Sequence, residues 1–150
     1  MTYTPPMFRG RWYFLSNFYP VRVYFEGRWY QTAEHAYQAA KTTCKTDHDL
    51  VAGAATPAIA KRMFRRLRLP QRQNWEEIKD EVMLEVLRAK FDTPSLAKQL
   101  LETGEQELIE YNPWHDTYWG VCDGVGENRL GKLLMQVRQE LRGLTGGQRR

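Results

Sequence analysis

Cysteine is scarce in this chain. Cys44 and Cys122 are the only two, too few for a disulfide framework or a zinc site. Histidine is scarce too, and His35, His48 and His115 lack ligand spacing. No metal and no other cofactor is therefore expected. No apolar run approaches the ~18 residues that a membrane helix needs. Met1–Pro20 lacks the apolar core of a signal peptide, so a cytoplasmic location is expected. Internal repeats, low-complexity linkers and a Walker A loop are all missing. Acids are missing locally: no residue from Leu50 to Trp75 is acidic.

What is present is a large potential for burial. The 150 residues include 5 Trp, 8 Tyr and 6 Phe, which argues against a disordered chain. The length suits one domain over residues 1–150, with a core over about 8–141 and a flexible tail from Gly143. The formal net charge of +4 is unevenly placed. Lys61, Arg62, Arg65, Arg66, Arg68 and Arg72 fall in one acid-free segment, and without them the chain is slightly negative. Such a patch suits phosphates or nucleic acid, although a solvated helix face has the same composition.

The patterning predicts an α+β, mostly helical fold with a small antiparallel sheet near the N-terminus. Val21–Phe25 and Arg28–Gln31, joined by Glu26-Gly27, read as a β-hairpin. Short strands are expected near Phe8 and over Trp12–Leu15. Thr32 caps a helix over Ala33–Cys44. A helix over Asp47–Ala52 stops at Gly53, and Thr56-Pro57 opens another to about Leu69. Trp75 to Phe91 carries an apolar stripe at helical spacing. Thr93-Pro94 starts a helix that Gly104 ends. Glu107–Tyr111 reads as a strand, Asn112–Glu127 as a loop, and a last helix follows Asn128.

Five places can carry chemistry. On the Thr32-capped helix, Glu34, Gln38 and Lys41 fall within about 60° of arc and form a polar stripe beside Ala33, Ala36, Tyr37 and Ala40. A desolvated lysine there is a nucleophile towards a masked aldehyde, and glutamate moves protons; ordinary surface polars share the pattern. Asn17, between Phe14 and Phe18, is placed to orient a ligand's polar edge, or is a turn residue among core aromatics. Ser16 has no histidine-acid partners, so a hydrolase triad has little support. Trp114–Gly120 puts Asp116, two tryptophans and a tyrosine on one loop, as binding loops do. Gly124–Gly131 leads into a helix with Asn128 as its expected cap, and free amides there can receive a phosphate. Lys61, Arg65, Arg68 and Arg72 form one basic face, suited to a phosphate-bearing ligand.

In order, the chain reads Phe14-Leu15-Ser16-Asn17-Phe18-Tyr19-Pro20, then Thr32-Ala33-Glu34-His35-Ala36-Tyr37-Gln38-Ala39-Ala40-Lys41. Ala60-Lys61, Asn74-Trp75 through Lys79 and Met83, and Lys90-Phe91 follow. Asp116-x-x-Trp119-Gly120 precedes Gly126-x-Asn128-x-Leu130-Gly131-x-Leu133-Leu134-Met135-x-x-Arg138. This ordered set resembles the NADAR family, also called YbiA-like. The resemblance implies a YbiA-like fold and an N-glycosidase acting on ribosides that bear phosphate or ADP. It implies two substrate types: guanine carrying ADP-ribose in DNA, and early phosphoribosyl intermediates of riboflavin synthesis. The first links the protein to a DNA ADP-ribosylating toxin.

By the same resemblance Lys41 forms a Schiff base with the opened ribose. Glu34 and Asp116 assist proton transfer, and Trp119 and Asn17 shape the pocket. The full expected lining is Phe14, Ser16, Asn17, Gln38, Lys61, Arg65, Trp75, Trp119, Gly120 and Asn128. Asn74 stands where many relatives have aspartate, and Val121-Cys122-Asp123 replaces a more glycine-rich stretch. A non-catalytic ADP-ribose or NAD reader would keep this pocket without needing Lys41. A plain nucleic-acid-binding module would show salt-dependent DNA affinity and no product.

Overall fold

The structure, a computed structural model, describes residues 8–145. The described residues cluster as two compact units: Asn17–Lys90, and a second that joins the segment up to Ser16 to the segment from Phe91 onward.

The Asn17–Lys90 unit opens with the expected hairpin, β1 (Val23–Phe25) and β2 (Arg28–Tyr30), antiparallel with Val23 opposite Tyr30. Glu26 and Gly27 have φ of +49° and +80°. Two consecutive left-handed residues match the strands' twist in a two-residue turn. Helix α1 (Ala33–Ala39) follows, then α2 (Lys45–Ala52), α3 (Pro57–Arg66) and α4 (Trp75–Lys90). The hairpin is tied to α2 by Arg28 Nη1 to Asp49, 2.5 Å, and by Tyr30 Oη to His48 Nε2, 2.8 Å.

Helix α1 is the hub, packing against the hairpin and α2, α3 and α4. All seven of its residues are buried. Alanines at 33, 36 and 39 let its neighbours approach closely, as small side chains permit. Thr32 Oγ1 accepts from the His35 amide at 3.2 Å, the expected cap. The His35 ring spans Thr32 Oγ1 at 2.8 Å and the Ala54 carbonyl at 3.0 Å. This pins α1 to the chain after α2 and makes His35 a structural residue. The helix ends at Ala39 rather than Cys44. Lys41 and Thr42 bond the carbonyls of Gln38 and Ala39 in tighter turns, and the β-branched Thr42-Thr43 pair does not favour extension.

Lys90 closes α4 with no exposed surface, its Nζ 5.9 Å from the Tyr19 ring centroid. Burial lowers its pKa to about 7. The unfolded chain binds the proton up to about 10.5 and the folded chain only up to about 7. Stability should therefore rise with pH across that window. Lys90→Met removes this titration, so the variant's stability relative to the natural protein should fall between pH 7 and pH 10. Urea melts at the two pH values test this, and a pH-independent difference would overturn it.

In the second unit, Gly10–Leu15 is a 3-10 helix and not the expected strand. Trp12 and Ser16 bond back to the carbonyls of Arg9 and Tyr13, which satisfies the backbone locally. Helix α5 (Pro94–Glu102) packs on α6 (Arg129–Thr145). Buried Arg138 of α6 donates to Thr103 Oγ1 at 2.8 Å and the Gln106 carbonyl at 2.9 Å, a cation at the C-terminal end of α5. The strand expected over Glu107–Tyr111 reduces to one bridge, Tyr111 with Val121. The tail expected from Gly143 is still helical to Thr145, and 146–150 lie outside the described residues. No helix among the described residues is long and apolar enough to cross a membrane.

Candidate active site

The Asn17–Lys90 unit assembles most of the expected residues around α1. The first free N–H groups of a helix need acceptors, and Glu34 N finds one in the Asn17 carbonyl at 3.0 Å. That bond seats Asn17 beside Glu34. The Asn17 side chain donates from Nδ2 to Met83 Sδ at 3.3 Å, while its Oδ1 is buried and accepts nothing. One turn after Glu34, Gln38 donates from Nε2 to Glu34 Oε2 at 2.7 Å. Its own Oε1 is likewise buried without a donor. Glu34 and Gln38 are 7% and 4% exposed. The polar stripe expected at the border of the core is thus enclosed.

Buried acceptors without donors are costly, at about 1–3 kcal/mol each. Here two stand near a buried carboxylate on neighbouring elements. Two carbonyl oxygens and a carboxylate suit the hydroxyl groups of a sugar, which donate hydrogen bonds.

Lys41 lies just beyond α1. Its amide bonds the Gln38 carbonyl at 3.1 Å, and its own carbonyl accepts from Arg72 N at 2.8 Å. The Nζ lies 5.9 Å from the Tyr37 ring centroid and 5.5 Å from that of Phe64. Behind Tyr37, Trp75 is buried with its ring 5.2 Å away. Burial in these walls lowers the pKa of Lys41. Glu34 opposes the shift, Lys79 adds to it, Glu76 opposes it, and Lys61 adds to it. The net effect is downward and favours the neutral amine, the form with a lone pair to donate. Lys79 is largely buried and paired with Glu76 at 2.6 Å.

On α3, Lys61 has its Nζ 5.8 Å from the Phe18 ring, and Arg65 is exposed one turn on. The departure at Asn74 has a local role. Its carbonyl accepts from the Glu77 and Ile78 amides at the start of α4, and its Oδ1 accepts from Arg72 Nε at 3.3 Å.

The remaining expected residues belong to the second unit. Phe14 is buried, edge-on to Phe91 at 6.5 Å. Ser16 ends the 3-10 helix. Asp116 Oδ1 accepts from the amides of Tyr118 at 3.1 Å and Trp119 at 2.9 Å, so this carboxylate shapes the turn. The Trp119 ring is edge-on to Tyr118 at 4.9 Å. Gly120 is required by space, because a Cβ there would meet the Glu110 carbonyl and the Asn112 side chain. Asn128 does not present its side chain to a ligand. Its Oδ1 accepts from Glu110 N at 3.0 Å and its Nδ2 donates to the Leu108 carbonyl at 3.0 Å.

Tyr37, Phe64, Lys79 and Met83 are residues that sequence reasoning did not place in the site. Their signals were present but slight. Phe64 follows Lys61 by three residues and Lys79 follows Trp75 by four, which are same-face helical spacings.

A family model described as the NADAR domain matches residues 7–142. The N-glycosidase YbiA of Escherichia coli (strain K12) is 39% identical over 130 residues, covering 84% of this chain and 79% of that one. The N-glycosidase Npun_R5314 of Nostoc punctiforme is 37% identical over 134 residues, covering 86% and 85%. The riboflavin biosynthesis protein VVA0006 of Vibrio vulnificus is 43% identical over 131 residues, 85% of this chain but 35% of that longer one. The NMR structure of the E. coli protein YbiA matches with a TM-score of 0.82 at 36% identity, covering 91% of this chain and 82% of that chain.

Proposed function

The chain belongs to the NADAR family, and from that premise we propose that it is an N-glycosidase that removes ADP-ribose from guanine in DNA through a Schiff base on Lys41. The observation that carries the reading is the Lys41 amine. It is half-buried between aromatic rings with its pKa lowered, beside an enclosed carboxylate and two acceptors without donors.

The anomeric carbon of an N-glycoside has the oxidation level of an aldehyde, so an amine is an apt nucleophile. Protonation of the ring oxygen opens the ribose and leaves an imine between that carbon and the base nitrogen. The Lys41 lone pair adds to the carbon. The base nitrogen takes up a proton and departs with the bonding pair, leaving an iminium on Lys41. Water adds, the C–N bond to Lys41 breaks, and the ribose recloses with the amine restored. Glu34 is the proton carrier in this scheme. Asn17 Oδ1 and Gln38 Oε1 would accept from ribose hydroxyls, and Lys61 and Arg65 would meet the pyrophosphate.

The 43% identity to the Vibrio riboflavin biosynthesis protein favours a second reading, cleavage of an early phosphoribosylamino-pyrimidine in that synthesis. Mass spectrometry of an oligonucleotide ADP-ribosylated on guanine separates the two. Release of free ADP-ribose is expected. Folded protein that releases none, yet cleaves the phosphoribosylamino-pyrimidine, would replace the first reading with the second.

A further inference from the structure

Helix α3 carries more positive charge than a pyrophosphate needs, and the charge falls in two rows. Phe64 and Ala60 are buried, with Phe64 against the Lys41 amine. At about 100° per residue, Lys61 and Arg65 form the row beside that buried face. Arg62 and Arg66 form a second row about 100° further round, turned away from Lys41. All four are exposed, and so is Arg68, which leaves the helix with φ of +54°. Arg72 returns the chain to Lys41 through its backbone N–H. The Lys61–Arg65 row thus borders the buried face that meets Lys41, and no acid interrupts the basic segment in sequence.

We propose that Arg62, Arg66 and Arg68 form a docking track for a nucleic-acid strand, holding the nucleotides that flank the base on which Lys41 acts. The proposal rests on the N-glycosidase reading and adds to it a surface outside the substrate pocket. Charge complementarity is the argument: a strand presents repeated phosphates, and exposed arginines bind them without reading sequence. A membrane fits less well. A helix lying on a bilayer inserts its apolar face, whereas the Ala60–Phe64 face of α3 is already buried within the unit.

The test uses Arg62→Gln/Arg66→Gln, two exposed changes distant from the buried site. For an ADP-ribosylated oligonucleotide of about 15 nucleotides, KM should rise roughly tenfold with kcat retained. For ADP-ribosyl-guanosine, which has no flanking nucleotides, KM should not change. Fluorescence anisotropy with an unmodified labelled single strand reads the surface independently of turnover. The slope of log affinity against log salt should fall by roughly 1.4, at about 0.7 for each lost phosphate contact. Unchanged oligonucleotide binding and KM would overturn the track. So would an equal rise in KM for both substrates, which would assign these arginines to the ADP-ribose itself. Binding to phosphatidylserine vesicles with none to the oligonucleotide would also overturn it. If the natural protein turns over neither substrate, the catalytic reading fails, and the anisotropy result still decides the track.

Discussion

Lys41→Met is expected to lower turnover by about a thousandfold or more, the scale on which loss of a covalent nucleophile is felt. Methionine keeps the apolar stem between Tyr37 and Phe64, so the variant should melt near the natural protein. Borohydride added during turnover should leave a ribosyl adduct on Lys41 of the natural protein and none on the variant. The pH profile carries a further signature. In the proposed scheme the amine is the active form, so activity should rise with pH through the Lys41 pKa. That acid limb should lie below the ordinary lysine range because burial disfavours the ammonium. Lys79→Met removes a neighbouring cation that pushes the same way, so the limb should move to higher pH. A Lys41→Met variant with a rate within tenfold of natural would remove the Schiff base from the mechanism.

Glu34→Gln should reduce kcat by about 10²–10⁴, the usual contribution of a positioned proton carrier, with KM little altered. Glutamine preserves the shape and still accepts from Gln38 through its carbonyl, so the enclosed pair survives without the transferable proton. Single-turnover rates on the cleavable substrate measure this. The opposite pattern, kcat kept and KM raised, would make Glu34 a ligand for the sugar hydroxyls only.

Local chemistry wrote much of this molecule openly. Thr32 and Thr56-Pro57 announce α1 and α3, Glu26-Gly27 announces the hairpin turn, and apolar spacing announces α4. Each depends on residues within a few positions of one another. Structure departs from local pattern where pairing partners decide. Trp12–Leu15 has strand-like residues but forms a 3-10 helix, its backbone satisfied by near neighbours. Glu107–Tyr111 pairs through a single bridge.

The site divides the same way. The spacing of Glu34, Gln38 and Lys41 puts them on one stripe, but their enclosure depends on what surrounds α1. The hairpin, α2, α3 and α4 all pack against it, and a helical period cannot register that. Phe64 and Lys79 reach the amine from segments more than twenty residues further on in the chain. Asn128 shows the converse: an expected helix cap whose side chain is engaged by the backbone of Leu108 and Glu110.

The hydrogen bond from Arg72 N to the Lys41 carbonyl has a consequence for how this family can vary. Lys41 stands outside its helix, so helical geometry alone does not set the height of its amine. A peptide group 31 positions later helps to set it. Insertions or deletions between α3 and α4 would therefore be felt at Lys41, although surface connections usually tolerate them. The identity of residue 72 is a much weaker constraint on this bond. Any side chain will serve except proline, which has no N–H to give. Evolution is thus free to rewrite the letters of this connection and poorly placed to change their number.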